Sequence, residues 1–557
     1  MQRVLDENYY DLIAENSIDP IRNEDVNMTL LNEAHHILHV STHEINICDQ
    51  RQVPYYSLPE LFTPISIIDR GNADIESFRY HSEPAFYGKD IIIGILSTGI
   101  DYQHPVFLNA DKTTCIISMW DQSEQGGVVP EGFTFGSEYT RDMINQALVS
   151  EDPLSVVPSR DTNGHGTAIA SIIAGRPESN QSFSGIVPES ELVIVKLKEA
   201  KQNLKQLFFV PDDLLCFQET DLMLGIRYLV TVSENLKRPL VICIALESNQ
   251  GGHDGISPIS TYLNIIAGLP NIGVCIAAGD GGNKERHYFN STFSQPYYND
   301  FQLNVGSSDK LFFMEIWPYA PSTLSIEVIS PLGESTESVD PSLVCKEFTF
   351  EQSQSILLIN NFVFESGGRN PLILIRFRNP YPGVWHFRAL SIENTPFSFH
   401  TWLPAGNLIS NETFFFESDP YTTVSSPGTT TSPITVTAYN QVNRSILIES
   451  SRGYTRIGEV KPDIAAPGYQ IPCAVPESQY GVISGTGAAV GYAAGAIAIA
   501  LEWAGIKRNF VNINGNQIRG LLTFNALRDS DVIYPNKIWG YGILDIENLL
   551  NMLLSTR

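Results

Sequence analysis

Four short apolar runs, each closed by turn residues, limit the folds open to this chain more than any other feature: DIIIGILSTGID from residue 90, ELVIVKLK from 191, RPLVICIAL from 238 and NIGVCIAAGD from 271. Unbroken apolar runs mark strands that are covered on both faces, and helical stretches separate them, so the pattern predicts a parallel sheet with crossover helices. In an open sheet of that kind the functional crevice lies beyond the carboxyl ends of the strands.

Two other textures surround this one. Residues 1–65 are acidic and helix-permissive at first, then carry a strand-like run, HHILHVSTHEINI, and a Pro-containing segment ending in LPELFTP; they read as a small separate unit. Residues 291–422 turn to short β-rich runs such as LFFMEIWPY, TLSIEVIS and PLILIRFR, separated by Pro, Gly and Asn turns, which is an all-β sandwich pattern. The α/β texture then resumes with SPITVTAYN and KPDIAAPG. The expected organisation is an N-terminal unit of 1–65, an α/β domain built from 66–290 and 423–557, and a β domain of 291–422 inserted into it. The run GAAVGYAAGAIAIALEWAG, residues 487–505, approaches a membrane span in length and apolarity, but its Ala and Gly allow close packing and it is read as a buried core helix.

A formal net charge of -27, from 35 basic and 62 acidic residues, excludes a phosphate backbone or an anionic membrane surface as the natural partner. It keeps the surface solvated or suits a basic partner. The seven cysteines, Cys48, Cys115, Cys216, Cys243, Cys275, Cys345 and Cys473, are scattered, with no CxxC or other metal-ligand spacing, so no disulfide framework, metal or cofactor is expected. Those in LLCF, VICI and GVCIAA read as buried free thiols, which suits a reducing interior. The N-terminus, MQRVLDENYYDLIAENS, lacks the basic-then-apolar pattern of a secretory signal, and the chain is expected to stay inside the cell that makes it.

Four segments in a fixed order, GILSTGID (94–101), NGHGTAIASIIAG (163–175), AAGDGG (277–282) and SGTGAAVGYAAG (484–495), resemble the signature blocks of the subtilisin-like serine proteases. GIVPESELVIVKL, KPDIAAPG and WGYGILD resemble that family's supporting blocks, and the likeness spans about 90 to 550. It implies a subtilisin-like parallel sheet with flanking helices. It also implies a chemistry in which a serine attacks the scissile carbonyl, a histidine takes its proton, an aspartate orients the histidine and hydrogen-bond donors hold the oxyanion.

Placed block by block, this chain departs from that chemistry. Ser97 stands where the aspartate belongs and cannot balance an imidazolium. Gly487 stands where the nucleophile belongs, and loss of the nucleophile alone costs on the order of a millionfold in turnover. Asp280 replaces the asparagine of the oxyanion block, an acceptor where a donor is needed. His165 is retained, either as a general base or as a histidine kept for packing with nothing left to deprotonate. The hydroxyls of Ser484 and Thr486 lie at a strand-to-helix turn and face other directions. In Ala245-Leu246-Glu247 a glutamate replaces the glycine of the strand that receives substrate, and it is expected to obstruct strand addition. The Gly487 amide, at a helix N-terminus, is an anion site that Asp280 is expected to fill.

The β-rich insertion, GIDYQHPVF and LPELFTP further resemble the Csp germination proteins of clostridial spores, in particular their CspC-type pseudoprotease branch. That likeness implies a prodomain-like N-terminal unit, an inserted jelly roll, and location in the spore. It implies sister Csp proteases or the precursor of a cortex peptidoglycan hydrolase as partners, and a small germinant, such as a bile salt, as ligand. The resulting expectation is a catalytically inactive regulator of germination; a scaffold of the active protease, or a protease with an unusual nucleophile, are the alternatives. No motif shows a ligand site: Asn249, His253 and Asp254 in ESNQGGHDG read as a solvated loop, and Arg452 and Arg456 in SSRGYTRIGE as partners in surface salt bridges. With glycine at 487, residues 1–65 are expected to stay attached.

Overall fold

The computed structural model describes residues 2–15, 27–46, 48–49, 51–69, 86–177, 183–291, 297–362, 370–507 and 512–555. Among them a nine-stranded sheet forms the centre. Its order is Ser445–Ile446, Ile434–Asn440, Ile272–Ala277, Leu240–Ile244, Ile92–Ser97, Glu191–Lys196, Ile116–Asp121, Ser137–Thr140, with Ile464–Pro467 also paired to Ile434–Asn440. The edge pairings of Ser137–Thr140 and Ser445–Ile446 are antiparallel and the rest are parallel.

Successive side chains of a strand point to opposite faces, and the apolar runs are continuous because both faces are covered. Ile93 and Ile95 pack in one layer with helices His165–Ala174 and Thr486–Lys507, whereas Ile92 and Leu96 pack in the other with Glu219–Leu236 and Pro258–Gly268. The window Thr486–Gly505 is long and apolar enough to cross a membrane, yet 94% of it is buried inside the fold. Its small residues allow this: a Cβ on Gly495 would lie 2.4 Å from Ile186 Cγ2.

The β-rich region forms two antiparallel sheets. One has six strands, from His287–Asn290 through Phe399–Trp402, Leu311–Pro318, Leu372–Arg378 and Ile356–Phe362 to Lys346–Thr349; the other has four, Leu324–Ile329, Gly383–Ser391, Tyr298–Val305 and Phe414–Phe415. They share a core that includes Leu303, Ile326, Val328, Met314, Phe377 and Phe387. The outer face of the larger sheet, with Phe313, Trp317 and Trp402, packs on Leu12, Val40 and Tyr55 of the N-terminal region.

The start of the chain differs from its sequence reading. Tyr9–Glu15 is a strand, not a helix, paired antiparallel with His35–Ser41, which also pairs with Asn27–Leu30. Leu12 and Ala14 bury against the β-rich region and Ile13 against the sheet-and-helix layer, so tertiary pairing on both faces overrides local preference.

Candidate functional site

The residues singled out in the sequence come together at the carboxyl ends of the central strands. Ser97 ends the strand Ile92–Ser97, Glu247 follows Leu240–Ile244, and Asp280 follows Ile272–Ala277. Gly164, at φ +95°, makes the left-handed turn that lets His165 open its helix. Helix Thr486–Lys507 starts directly after strand Gln479–Ser484. His165, Glu247, Asp280 and Ser484 line one cavity of about 800 Å³ together with Ser66.

The chain itself runs through this crevice. Strand Leu61–Pro64 lies antiparallel between Phe217–Gln218 and Leu246–Glu247, with Phe62 facing Phe217, Pro64 facing Leu246 and Thr63 facing Glu247. The Ile65 N–H then donates to the Ala245 carbonyl (3.1 Å), and Ile67–Asp69 pairs with Gln479–Ser484. The residues that follow, 70–85, lie outside the described set. The expectation that Glu247 would obstruct strand addition is overturned. Its backbone accepts the added strand while its carboxylate turns aside to accept the Asp280 N–H at 3.1 Å.

His165 is fixed from both ends. Its Nε2 faces the Ile65 carbonyl at 2.8 Å and its Nδ1 faces Ser97 Oγ at 2.8 Å. A carbonyl only accepts, so Nε2 carries the proton and donates it; Nδ1 then accepts from the serine hydroxyl. Burial lowers the imidazole pKa, which favours this neutral form. In a working triad the lone pair of Nε2 has to be free for the nucleophile's proton. Here that nitrogen is already protonated and engaged.

At the helix start, the Gly487 N–H donates to Ser66 Oγ (2.9 Å), and Ser66 Oγ donates to Asp280 Oδ2 (3.3 Å). Asp280 Oδ1 accepts from the Thr486 N–H and the Thr486 hydroxyl, both at 2.9 Å. The Asp280 carboxylate therefore sits at this helix N-terminus, but on the amide of Thr486; the Gly487 amide, to which the sequence assigned it, is taken by a serine hydroxyl. A Cβ on Gly487 would stand 2.7 Å from both the Ile65 carbonyl oxygen and Ser66 Oγ. The close approach of segment and helix requires glycine there.

Burial pushes the Asp280 carboxyl up to about 6 against the lowering effect of the Thr486 bonds. Burial, and then the neighbouring Asp280 charge, push Glu247 up to about 7. Two carboxyls of raised pKa and one neutral imidazole thus line the crevice, and the amides of Thr486 and Gly487 at the helix start are both in use. Ser484 Oγ accepts from the Gln470 N–H, Thr486 Oγ1 is engaged with Asp280 and the Gly279 N–H, and neither hydroxyl bonds His165. Among the described residues no group of three or more His, Cys, Asp or Glu is arranged to hold a metal ion.

The ESNQGGHDG loop is buried, not solvated. His253 stacks on Trp402 with ring centroids 4.0 Å apart, Asn249 Nδ2 donates to the Leu403 carbonyl, and Asp254 pairs with Arg456 at 2.9 Å. The Arg456 side chain is 1% exposed, so this is an interior ion pair within the α/β region, and Arg456 Nη1 reaches across to donate to the Pro318 carbonyl of the β-rich region. Arg452, half-buried, bonds through its backbone to Thr423. Sequence reasoning missed Ser66. The available signal was the change of texture after LPELFTP, which put a boundary at 65 without placing it in the crevice.

The match to the subtilase family covers residues 88–208 and 405–542, leaving out most of the β-rich region. The major intracellular serine protease of Bacillus subtilis (strain 168) is 24% identical over 255 residues, 46% of this chain and 61% of that relative, so the match spans less than two thirds of the relative's length. Among solved structures, the Clostridium perfringens CspB protease aligns with a TM-score of 0.75 and 28% identity, covering 87% of this chain and 96% of that one. The mixed α/β fold is a subtilisin-like one.

Proposed function

We propose that this chain, which matches the subtilase family over residues 88–208 and 405–542, is a CspC-type pseudoprotease of clostridial spores. In this reading it is catalytically inactive and regulates germination by sensing or relaying a germinant signal to a sister protease or to the precursor of a cortex hydrolase. Residues 1–65 then form the prodomain-like unit, 66–290 with 423–557 the subtilase domain, and 291–422 the inserted jelly roll. The likeness to the C. perfringens CspB protease supports the choice of relatives.

One observation carries the inactivity: Ser66 Oγ receives the Gly487 N–H and donates to Asp280, while the Nε2 proton of His165 rests on the Ile65 carbonyl. In an acyl-transfer site those donors have to meet a carbonyl oxygen as it becomes an oxyanion, and the histidine has to accept a proton. Here the donors meet a hydroxyl, there is no side chain at 487 to attack, and the histidine is a donor.

A serine-directed fluorophosphonate is expected to leave the purified protein unlabelled, and its intact mass is expected to be that of the full chain. Labelling at Ser484, Ser97 or elsewhere would restore the active-protease reading, and a species beginning near residue 66 would show that the crevice segment is cut.

Signalling is tested separately, by thermal-shift titration against bile salts, amino acids and calcium. A ligand that binds only the folded state at 100 times its Kd adds about 2.7 kcal/mol of stability. A saturable shift with one of them is the expected result and makes the protein a receptor. A flat response across the panel favours the scaffold reading and directs the search to protein partners.

A further inference from the structure

The N-terminal region and the β-rich region meet at an antiparallel bridge, Asp49 facing Val344. In that register the next facing positions are Cys48 and Cys345. Facing residues of an antiparallel pair have Cα atoms about 4.5–5.5 Å apart, inside the range of about 4.4–6.8 Å that a disulfide spans. These two cysteines are partly exposed, whereas the other five are buried, and all seven are free thiols.

The surroundings favour chemistry at Cys48. The Cys345 thiol hydrogen-bonds to the Cys48 sulfur, and Arg376, itself buried, directs Nη2 at Cys48 Sγ from 3.7 Å. The other hydrogen-bond partners of the Arg376 guanidinium are neutral, the Leu207 carbonyl and Asn360 Oδ1. Among the described residues it forms no ion pair with a carboxylate, so a thiolate at Cys48 is the anion that answers its charge. Donation from Cys345 and, against the effect of burial, the Arg376 charge lower the Cys48 thiol to about 6, which favours its thiolate. The same bond raises the Cys345 thiol.

The geometry points to a reversible disulfide between Cys48 and Cys345, a redox modification site that staples the N-terminal region to the β-rich region, with a low-molecular-weight disulfide as oxidant. The Cys48 thiolate attacks one sulfur of the small disulfide, whose S–S bond breaks and releases one small thiolate with the electron pair. That thiolate, or solvent, takes the Cys345 proton, and the Cys345 sulfur attacks the Cys48 side of the mixed disulfide, expelling the second small thiolate. Two protein thiols are oxidised and one small disulfide is reduced to two thiols. Partly exposed, low-pKa thiols with a partner in reach are the ones that respond in this way in reducing compartments. Closed, the link would hold residues N-terminal to the crevice segment in place even after a cut between Ile65 and Ser66. The inference does not depend on how the crevice is read.

The test uses the full chain in buffers of graded reduced-to-oxidised glutathione ratio, quenched with an alkylating reagent and mapped without reduction. The expected result is a Cys48–Cys345 linked peptide, with the intact protein about 2 Da lighter and the change reversed by dithiothreitol. Cys48→Ser and Cys345→Ser should each abolish the linked peptide, and Cys345→Ser should trap a glutathione adduct on Cys48. Full alkylation of both cysteines across the series, or a stable adduct on wild-type Cys48 that never passes to Cys345, would overturn the proposal. Both results are read on the wild-type protein, so poor folding of a variant does not remove the test.

Discussion

Serine in place of Gly487 will leave the chain uncut and lower its stability by about 1–3 kcal/mol, the usual cost of forcing atoms into a filled site. The new Cβ would stand 2.7 Å from the Ile65 carbonyl oxygen and 3.3 Å from Ser66 Cβ. One of these is backbone, pinned by His165 Nε2, and cannot swing away as a flexible side-chain tip would. The hydroxyl would gain no base, because Nε2 already carries a proton and Ser97 cannot balance an imidazolium. The Asp280 carboxyl would still face the donor position. Urea denaturation read beside intact mass decides the matter: a lower midpoint with full-length mass is expected, and a fragment starting at Ser66 would mean that the crevice is catalytically competent once a nucleophile is supplied.

The same crevice shows what the sequence could and could not convey. The central strands were legible because burial on both faces leaves an unbroken apolar run, and the ends of those runs located Ser97, Glu247 and Asp280 at one edge of the sheet. The chemistry of each substitution was legible too, since the loss of a side chain at 487 needs no coordinates. Position was not. Leu61–Asp69 finds its partners at 217–218, 246–247 and 479–484, far away in sequence, and a strand held from both sides shows little alternation. Glu247 was misjudged because spacing shows where a backbone goes but not where a long side chain turns. His253, Asp254 and Arg456 were read as surface groups on composition alone. Their burial follows from the β-rich region closing over them, with Trp402 stacked on His253 and the Pro318 carbonyl on Arg456, contacts between segments far apart in sequence. Cys48 and Cys345 escaped for the same reason, since only the bridge at Asp49 and Val344 sets them face to face.

Replacing Glu247 by glutamine should change how stability depends on pH more than it changes stability at any single mildly acidic pH. The carboxyl titrates near 4.5 when unperturbed and is pushed up to about 7 in the fold, first by burial and then by the Asp280 charge. Between those values the folded state holds a proton that the unfolded chain has lost, so the contribution of this carboxyl to the unfolding free energy falls as pH rises from 4.5 to 7 and is level on either side of that window. At about 1.4 kcal/mol per unit this one carboxyl gives up on the order of 3 kcal/mol across it. Glutamine keeps an oxygen able to accept the Asp280 N–H and does not titrate. Near pH 4.5 the two proteins should unfold at similar urea concentrations; by pH 7.5 the Glu247→Gln variant should be the more stable by about 3 kcal/mol. Parallel curves across the window would mean that Glu247 is ionised in the folded crevice, and that the added strand is held against a charge instead of a neutral acid.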